Sequence, residues 1–238
     1  MPIQSIEPKR LYRQIADQIR TLIRSGEFTA GARLPPERDL ARQLGVSRPS
    51  VREALIALEV EGLVEVRIGS GIYVLGNGYA GHEGNDVEAA SGPFELLRAR
   101  WVIEGECAAL AAKSAKKAQI AAIEEALDLM QEEMTSEKQA VNADRLFHLR
   151  IAEATGNGAL VNVVRTLWEE RSGPLYKQLE HHYDSPQLWQ AALAEHRAVV
   201  KAIAAHDSAA ARSAMQRHLN QAYKRFSTGW DGVPKVEA

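Results

Sequence analysis

The sequence predicts a mainly α protein in two parts. The N-terminal part reads as a winged helix-turn-helix, α with a small β-hairpin, and the C-terminal part as an all-α bundle of six or seven helices. Three observations predict this. Apolar residues recur at helical spacing over most of the 238 residues. Alternation of period two is confined to LVEVR and IYVL, residues 63–67 and 72–75. A glycine-rich stretch without periodicity, GNGYAGHEGNDVEAASG at 76–92, separates the two parts and reads as a linker. The expected domains are therefore 1–75, a linker at 76–92, a helical domain at 93–228 and a tail at 229–238.

Each element has a local cause. Leu11, Ile15, Ile19, Leu22 and Ile23 form a helical stripe that stops at Gly26. Pro35 and Pro36 precede a short helix at about 37–44, and Gly45 supplies the left-handed residue that ends it. Ser47 is suited to cap a third helix running to about Val60, with Pro49 tolerated in its first turn. The two alternating runs then turn at RIGSG to make a hairpin. Beyond the linker, helical stretches lie near 93–113, 117–134, 138–154, 158–180, 186–205 and 208–228. Gly156, Gly173-Pro174 and Ser185-Pro186 mark breaks, and Asp207 is suited to cap the last helix.

Composition excludes several classes. No run approaches the roughly 18 apolar residues of a membrane-spanning helix. The start, MPIQSIEPKR, lacks the apolar core and cleavage site of a secretory signal. The single cysteine, Cys107, can form no internal disulfide and fits a reducing compartment, so a cytoplasmic protein is expected. A net charge of -2 argues against a generally basic nucleic-acid binder. Residues 1–75 hold 11 Lys/Arg against 9 Asp/Glu, and residues 76–238 hold 18 against 22. Any DNA contact must come from a local patch.

Such a patch is expected in the first part. A recognition helix needs side chains near its N-terminus that reach base edges in the major groove. The third helix begins SRPSVREAL, where Arg48 and Arg52 are four apart and share a face. A guanidinium can form two parallel bonds to guanine. Ser47 and Ser50 can bond phosphates at the helix N-terminus. Arg38 opens the preceding helix, and Arg67, Gly69, Ser70 and Gly71 form the wing tip. The ordinary alternative is that each arginine is a solvated surface charge.

LPPERDLARQLGVSRPSVREALIALEVEGLVEVRIGSGIYV resembles the DNA-binding domain of the GntR family of bacterial transcription regulators, over about residues 9–75. The resemblance implies that Arg38, Ser47, Arg48, Arg52 and Gly69 contact operator DNA. Pro49 and Ile68 stand where some relatives carry polar contact residues. It further implies a homodimer on pseudo-palindromic double-stranded DNA.

In the second part, DRLFH at 144–148 puts a carboxylate and an imidazole on a stripe that is otherwise apolar: Val141, Asp144, His148, Ile151. His196 takes an apolar slot in the stripe Leu193, His196, Val200, Ile203, and His218 does so between Met215 and Ala222. Four such groups from three helices are costly in a core unless something pairs them, and a divalent metal does. Histidine ligands suit zinc, nickel, iron or copper, and the added carboxylate also admits manganese; zinc is the expected ion, with nickel or manganese as alternatives. The competing reading satisfies each histidine with a backbone carbonyl and pairs Asp144 with an arginine.

This half resembles the FCD ligand-binding domain of the FadR branch of the same family. The marks are Arg100–Glu104, DRLFHLRIAEATGN, EHRAVVKAI and MQRHL, over about residues 93–228. The resemblance implies that Asp144, His148, His196 and His218 hold the ion. GPFELLRARWVIEGECAALAA together with VEVRIGSGIYV is most similar to the hexuronate-utilisation repressors of the branch. The expected function is a dimeric repressor released by a small carboxylate, a sugar acid bound at the metal. Arg100 is expected to contact that effector's carboxylate, unless it only pairs with Glu104, and Asn157 to line its pocket, unless it only caps a helix. Other readings are a regulator responding to acyl-CoA, whose carriers lack the metal quartet, and a metal-dependent hydrolase. The hydrolase needs a positioned general base, and neither Glu153 nor Glu195 is expected to provide one, Glu195 because it should point off the stripe. The protein is therefore expected not to be an enzyme.

Overall fold

The computed structural model describes residues 10–76, 91–135 and 141–228. Most of the expected linker and the expected tail lie outside them. The chain forms two compact units that part after Phe94, the second running from Glu95 to Phe226.

In the first unit, helix α1 (Leu11–Arg24) buries Tyr12, Ile15, Ala16, Ile19 and Ile23, one face at steps of three and four. It packs on α3 (Arg48–Val60), whose Val51, Ala54, Leu55 and Leu58 are fully buried. Between them lies α2 (Glu37–Leu44), which starts after Pro36. Gly45 ends α2 with φ 65°, the left-handed region that an L side chain rarely adopts, and its N–H bonds Ala41 O. The chain can then re-enter a helix at once. Ser47 Oγ accepts the Ser50 N–H at 3.3 Å and caps α3. Strands β1 (Val64–Arg67) and β2 (Gly71–Val74) pair antiparallel, Val64 opposite Val74 and Val66 opposite Ile72. Those four side chains are buried on one face. A segment without alternation, 31–34, covers the free edge of β2. Gly31 N bonds Val74 O at 2.9 Å and Leu34 N bonds Ile72 O at 2.8 Å. The sequence pattern shows only the hairpin, because this third segment has no period of its own.

The second unit is helical among its described residues: α4 (Pro93–Ser114), α5 (Lys117–Thr135), α6 (Val141–Ala154), α7 (Gly158–Arg171), α8 (Pro174–His181), α9 (Pro186–Ala204) and α10 (Ser208–Ser227). The stretch expected near 158–180 is two helices. Pro174 has no N–H to continue α7, and Gly173 is extended, with ψ 164°. Asn157 caps α7 by accepting from Ala159 N and Leu160 N. Ser185 caps α9, and Asp207 Oδ1 accepts the Ala210 N–H at 2.9 Å. Alanines 108, 111, 112, 202, 211 and 214 are buried and let the helices approach closely around Phe147, Ile151, Trp168, Ile203 and Met215. Into this core α6 sends Asp144 and His148, α9 sends His196 and α10 sends His218.

Candidate metal centre and nucleic-acid surface

Asp144, His148, His196 and His218 are 6%, 1%, 0% and 6% exposed. One ligand atom from each lies within 4.8 Å of all the others. Three of them are tighter still. His148 Nε2 is 3.2 Å from His196 Nε2. Asp144 Oδ1 is 3.2 Å from His196 Nε2 and 3.5 Å from His148 Nε2. Two ligands bonded to one ion at about 2.1 Å lie about 3.0 Å apart at an octahedral angle and about 3.4 Å apart at a tetrahedral one. The three atoms therefore fit one coordination sphere where they stand.

The groups behind them set their protonation. His148 Nδ1 contacts Glu104, which also accepts Arg100 Nε at 2.7 Å. His218 Nδ1 is 2.8 Å from Glu195 Oε2, and Glu195 Oε1 accepts Arg225 Nη1 at 2.8 Å. A carboxylate on Nδ1 favours the tautomer whose Nε2 lone pair faces the cluster. Arg171 Nη2 lies 3.4 Å from Asp144 Oδ2, while Asp144 Oδ1 has no hydrogen-bond partner among the described residues. A buried acceptor left so costs about 1–3 kcal/mol, and a cation between it and the imidazoles would satisfy it. His196 Nδ1 also lacks a hydrogen bond among the described residues, and nothing in the structure accounts for that.

Electrostatics point the same way. Burial opposes ionisation of Asp144, but the imidazoles of His148 and His196 beside it and the charge of Arg171 prevail and hold it well below the usual carboxylate range. Burial, with His196 beside it, pushes His218 down to about 3, and burial also lowers His196. His148 goes the other way: burial disfavours its charge, but Glu104 outweighs that and raises it. At neutral pH the set thus holds an ionised carboxylate and, in His196 and His218, two imidazoles kept neutral, the forms that bind a metal.

The cluster opens on a cavity of about 100 Å³. Asp144, His196 and His218 face it, with Arg100, Arg171, Tyr176, Glu180, Trp189 and Arg225 among its other walls. Arg100 is at the wall but 3% exposed, bonded to Glu104 and 4.2 Å over the Trp168 ring. Asn157 is not among the lining residues; its side-chain oxygen is used by the cap of α7. Glu195 lies off the stripe of its own helix, as its place beside His196 requires, and its carboxylate meets His218 on α10. Sequence reasoning also missed Arg171 and Glu180, and it gave Glu104 to Arg100 alone.

In the first unit the expected DNA-contact residues occupy two settings. Arg38, Arg48 and Arg67 have side chains 79%, 47% and 53% exposed. The hydroxyls of Ser47 and Ser50 meet at 2.8 Å at the start of α3. Gly69, with φ 71°, turns the wing tip, where Arg67 lies over the Tyr73 ring at 4.6 Å. Arg52 differs from the expectation, because its side chain is 0% exposed. Glu37 Oε2 accepts Arg52 Nε at 2.8 Å, and Glu37 Oε1 accepts Arg48 Nε at 2.9 Å. One carboxylate from α2 thus draws the inner arginine under the helix and steadies the outer one.

Comparison with known proteins agrees with this division. Residues 11–74 match the family described as bacterial regulatory proteins, gntR family, and residues 95–221 match the FCD domain. The Uxu operon transcriptional regulator of Escherichia coli K12 is 40% identical over 226 residues, 92% of this chain and 87% of that protein. The Exu regulon transcriptional regulator of the same organism is 41% identical over 221 residues, 90% of this chain and 83% of that protein. The solved structure of Lar, which controls the expression of the Listeria monocytogenes agr system, superposes with a TM-score of 0.52 at 16% identity. It covers 93% of this chain and 98% of its own, and it supports the fold.

Proposed function

The chain belongs to the GntR family of bacterial regulators and carries the FCD domain, and on that premise we propose that it is a dimeric repressor released from its operator by a sugar acid bound at a metal. It is a DNA-binding transcriptional regulator and not an enzyme. The observation that carries the proposal is the buried quartet opening on a cavity in a chain that also presents a winged helix-turn-helix.

Zinc is the proposed ion, with nickel or manganese as the alternatives. Bound there, it would supply a Lewis-acidic docking point for a carboxylate and a neighbouring hydroxyl oxygen. Arg171 and Arg225 line the cavity, and a divalent ion there would add positive charge, which suits an anionic ligand. Likeness to the hexuronate-utilisation repressors, and to the Uxu and Exu regulators, supports a hexuronate. Arg100, held by Glu104, supports the cavity wall more than it reaches an effector.

Arg38, Arg48, Ser47, Ser50, Arg67 and Gly69 form the proposed DNA surface on a pseudo-palindromic operator. Arg52 backs it by clamping Glu37. Exposed Trp101 and Val102, beside Tyr223, give α4 and α10 an apolar patch suited to a second copy of the chain. No described helix is long and apolar enough to cross a membrane, and the cytoplasm is the proposed location.

The test uses a duplex selected from a random pool by the zinc-loaded chain and followed by fluorescence anisotropy. Glucuronate, galacturonate or fructuronate should weaken binding by about 5–150-fold, a coupling of about 1–3 kcal/mol. Unchanged affinity with all three acids would refute the proposal.

A further inference from the structure

Resting on the sugar-acid reading of the same cavity, we infer that Glu180, held by Arg171, reads a hydroxyl on the part of the acid remote from the metal, and so selects polyhydroxylated acids over short or doubly charged ones. Arg171 Nη2 stands 2.5 Å from Glu180 Oε1 and 3.4 Å from Asp144 Oδ2. The two carboxylates are therefore no further apart than those lengths laid end to end. An acid docked beside Asp144 reaches that far with a hydroxyl a few carbons along its chain. The two ends of the site come from separate elements. The ligands ride on α6, α9 and α10, whereas Glu180 is on α8, the short helix set apart by Gly173 and Pro174.

The hydrogen-bonding capacity left at this end identifies the group that fits. Arg171 is 7% exposed and lines the cavity, and its buried Nε makes no hydrogen bond among the described residues. Glu180 faces the same cavity with a side chain 23% exposed, and Arg171 is the donor it meets, through Oε1. A donor with spare capacity beside a carboxylate acceptor suits a hydroxyl, which both gives and takes a hydrogen bond. A second carboxylate only accepts and would meet the Glu180 charge. A short hydroxy acid would offer no hydroxyl to Arg171 Nε or to Glu180, and a site built around a hydroxyl discriminates against a ligand that lacks it. Trp189, its Nε1 donating to Asp184 Oδ1 at 2.8 Å, adds an apolar wall beside them.

Calorimetric titration of the zinc-loaded full chain tests this with three probes. Glucuronate carries distal hydroxyls, glycolate lacks them and malate replaces them with a carboxylate. Glucuronate should bind at least about tenfold more tightly than either, the worth of one charge-assisted hydrogen bond. Glu180→Ala should lower the glucuronate-to-glycolate affinity ratio by at least about tenfold, and Glu180→Gln, whose amide oxygen still accepts, should recover part of it. Monodeoxy glucuronates on the unaltered chain repeat the test without a substitution, and at least one should lose about tenfold. If Glu180→Ala leaves the ratio unchanged, or no deoxy analogue loses affinity, the inference is overturned while metal docking stands. If the unaltered zinc-loaded chain binds none of the three probes, the metal-docking reading itself fails.

Discussion

Arg52→Ala and Arg48→Ala remove two guanidinium groups held by one carboxylate, and the structure predicts different losses. Arg52 is 0% exposed and Glu37 7% exposed. Deleting the arginine leaves a buried carboxylate with Arg48 alone and a void where the side-chain stem was packed. Breaking a buried pair in this way costs about 3–5 kcal/mol, a large part of the 5–15 kcal/mol typical of a whole domain. Arg48 has a side chain 47% exposed, so its ion pair contributes about 0.5–1 kcal/mol. Its larger loss should be in operator affinity, about 1–3 kcal/mol if it grips a guanine with two bonds. All four tryptophans lie at residue 101 or beyond, so their fluorescence does not report on this unit. Hydrogen exchange of the full chain, read by mass spectrometry over α1–α3, does. Arg52→Ala should speed exchange of the protected amides by about 10²–10⁴-fold, and Arg48→Ala by less than about tenfold. Were Arg52→Ala to leave exchange unchanged while abolishing operator binding, Arg52 would be a surface base reader and the clamp by Glu37 would be refuted.

Three further outcomes are expected. Chelation of an ion present at about a hundred times its Kd should remove about 2.7 kcal/mol, lowering the Tm of the helical unit by on the order of 10 °C in a calorimetric scan; an unchanged Tm would count against the centre. Glu195→Gln should lower zinc affinity about 10–100-fold in competition with a chelator, because His218 loses its charged partner; undiminished affinity would restrict Glu195 to holding Arg225. Arg38→Ala and Arg67→Ala should each reduce the slope of log operator affinity against log salt by about one, since both side chains are exposed and belong to the proposed DNA surface. An unaltered slope would remove that residue from the interface.

The four clustered residues were legible because each breaks an apolar stripe, and a polar residue in such a slot has to be paired with something. The helix-turn-helix was legible for a similar reason: Gly45 and Ser47 have local roles that need no tertiary partner. What stayed hidden depends on partners brought together only by the fold. Glu195 sits off its own stripe, and only the packing of α9 against α10 gives it His218. Arg171 and Glu180 meet across the Gly173-Pro174 break, at a separation of nine residues that no helical period predicts. Arg48 and Arg52 do share a face, as their spacing requires, but helical period cannot tell which is covered. Glu37, from the preceding helix, decides that. The segment at 31–34 pairs with β2 through its backbone, which leaves no mark in side-chain pattern.

The central claim is that one cation is held by Asp144, His148, His196 and His218 together. Elemental analysis of the zinc-loaded full chain, after free ions are removed, tests it most directly. The account predicts one ion per chain, and none in a folded His196→Ala or His148→Ala variant. An unaltered chain that holds no ion, or either variant still holding one, would contradict it.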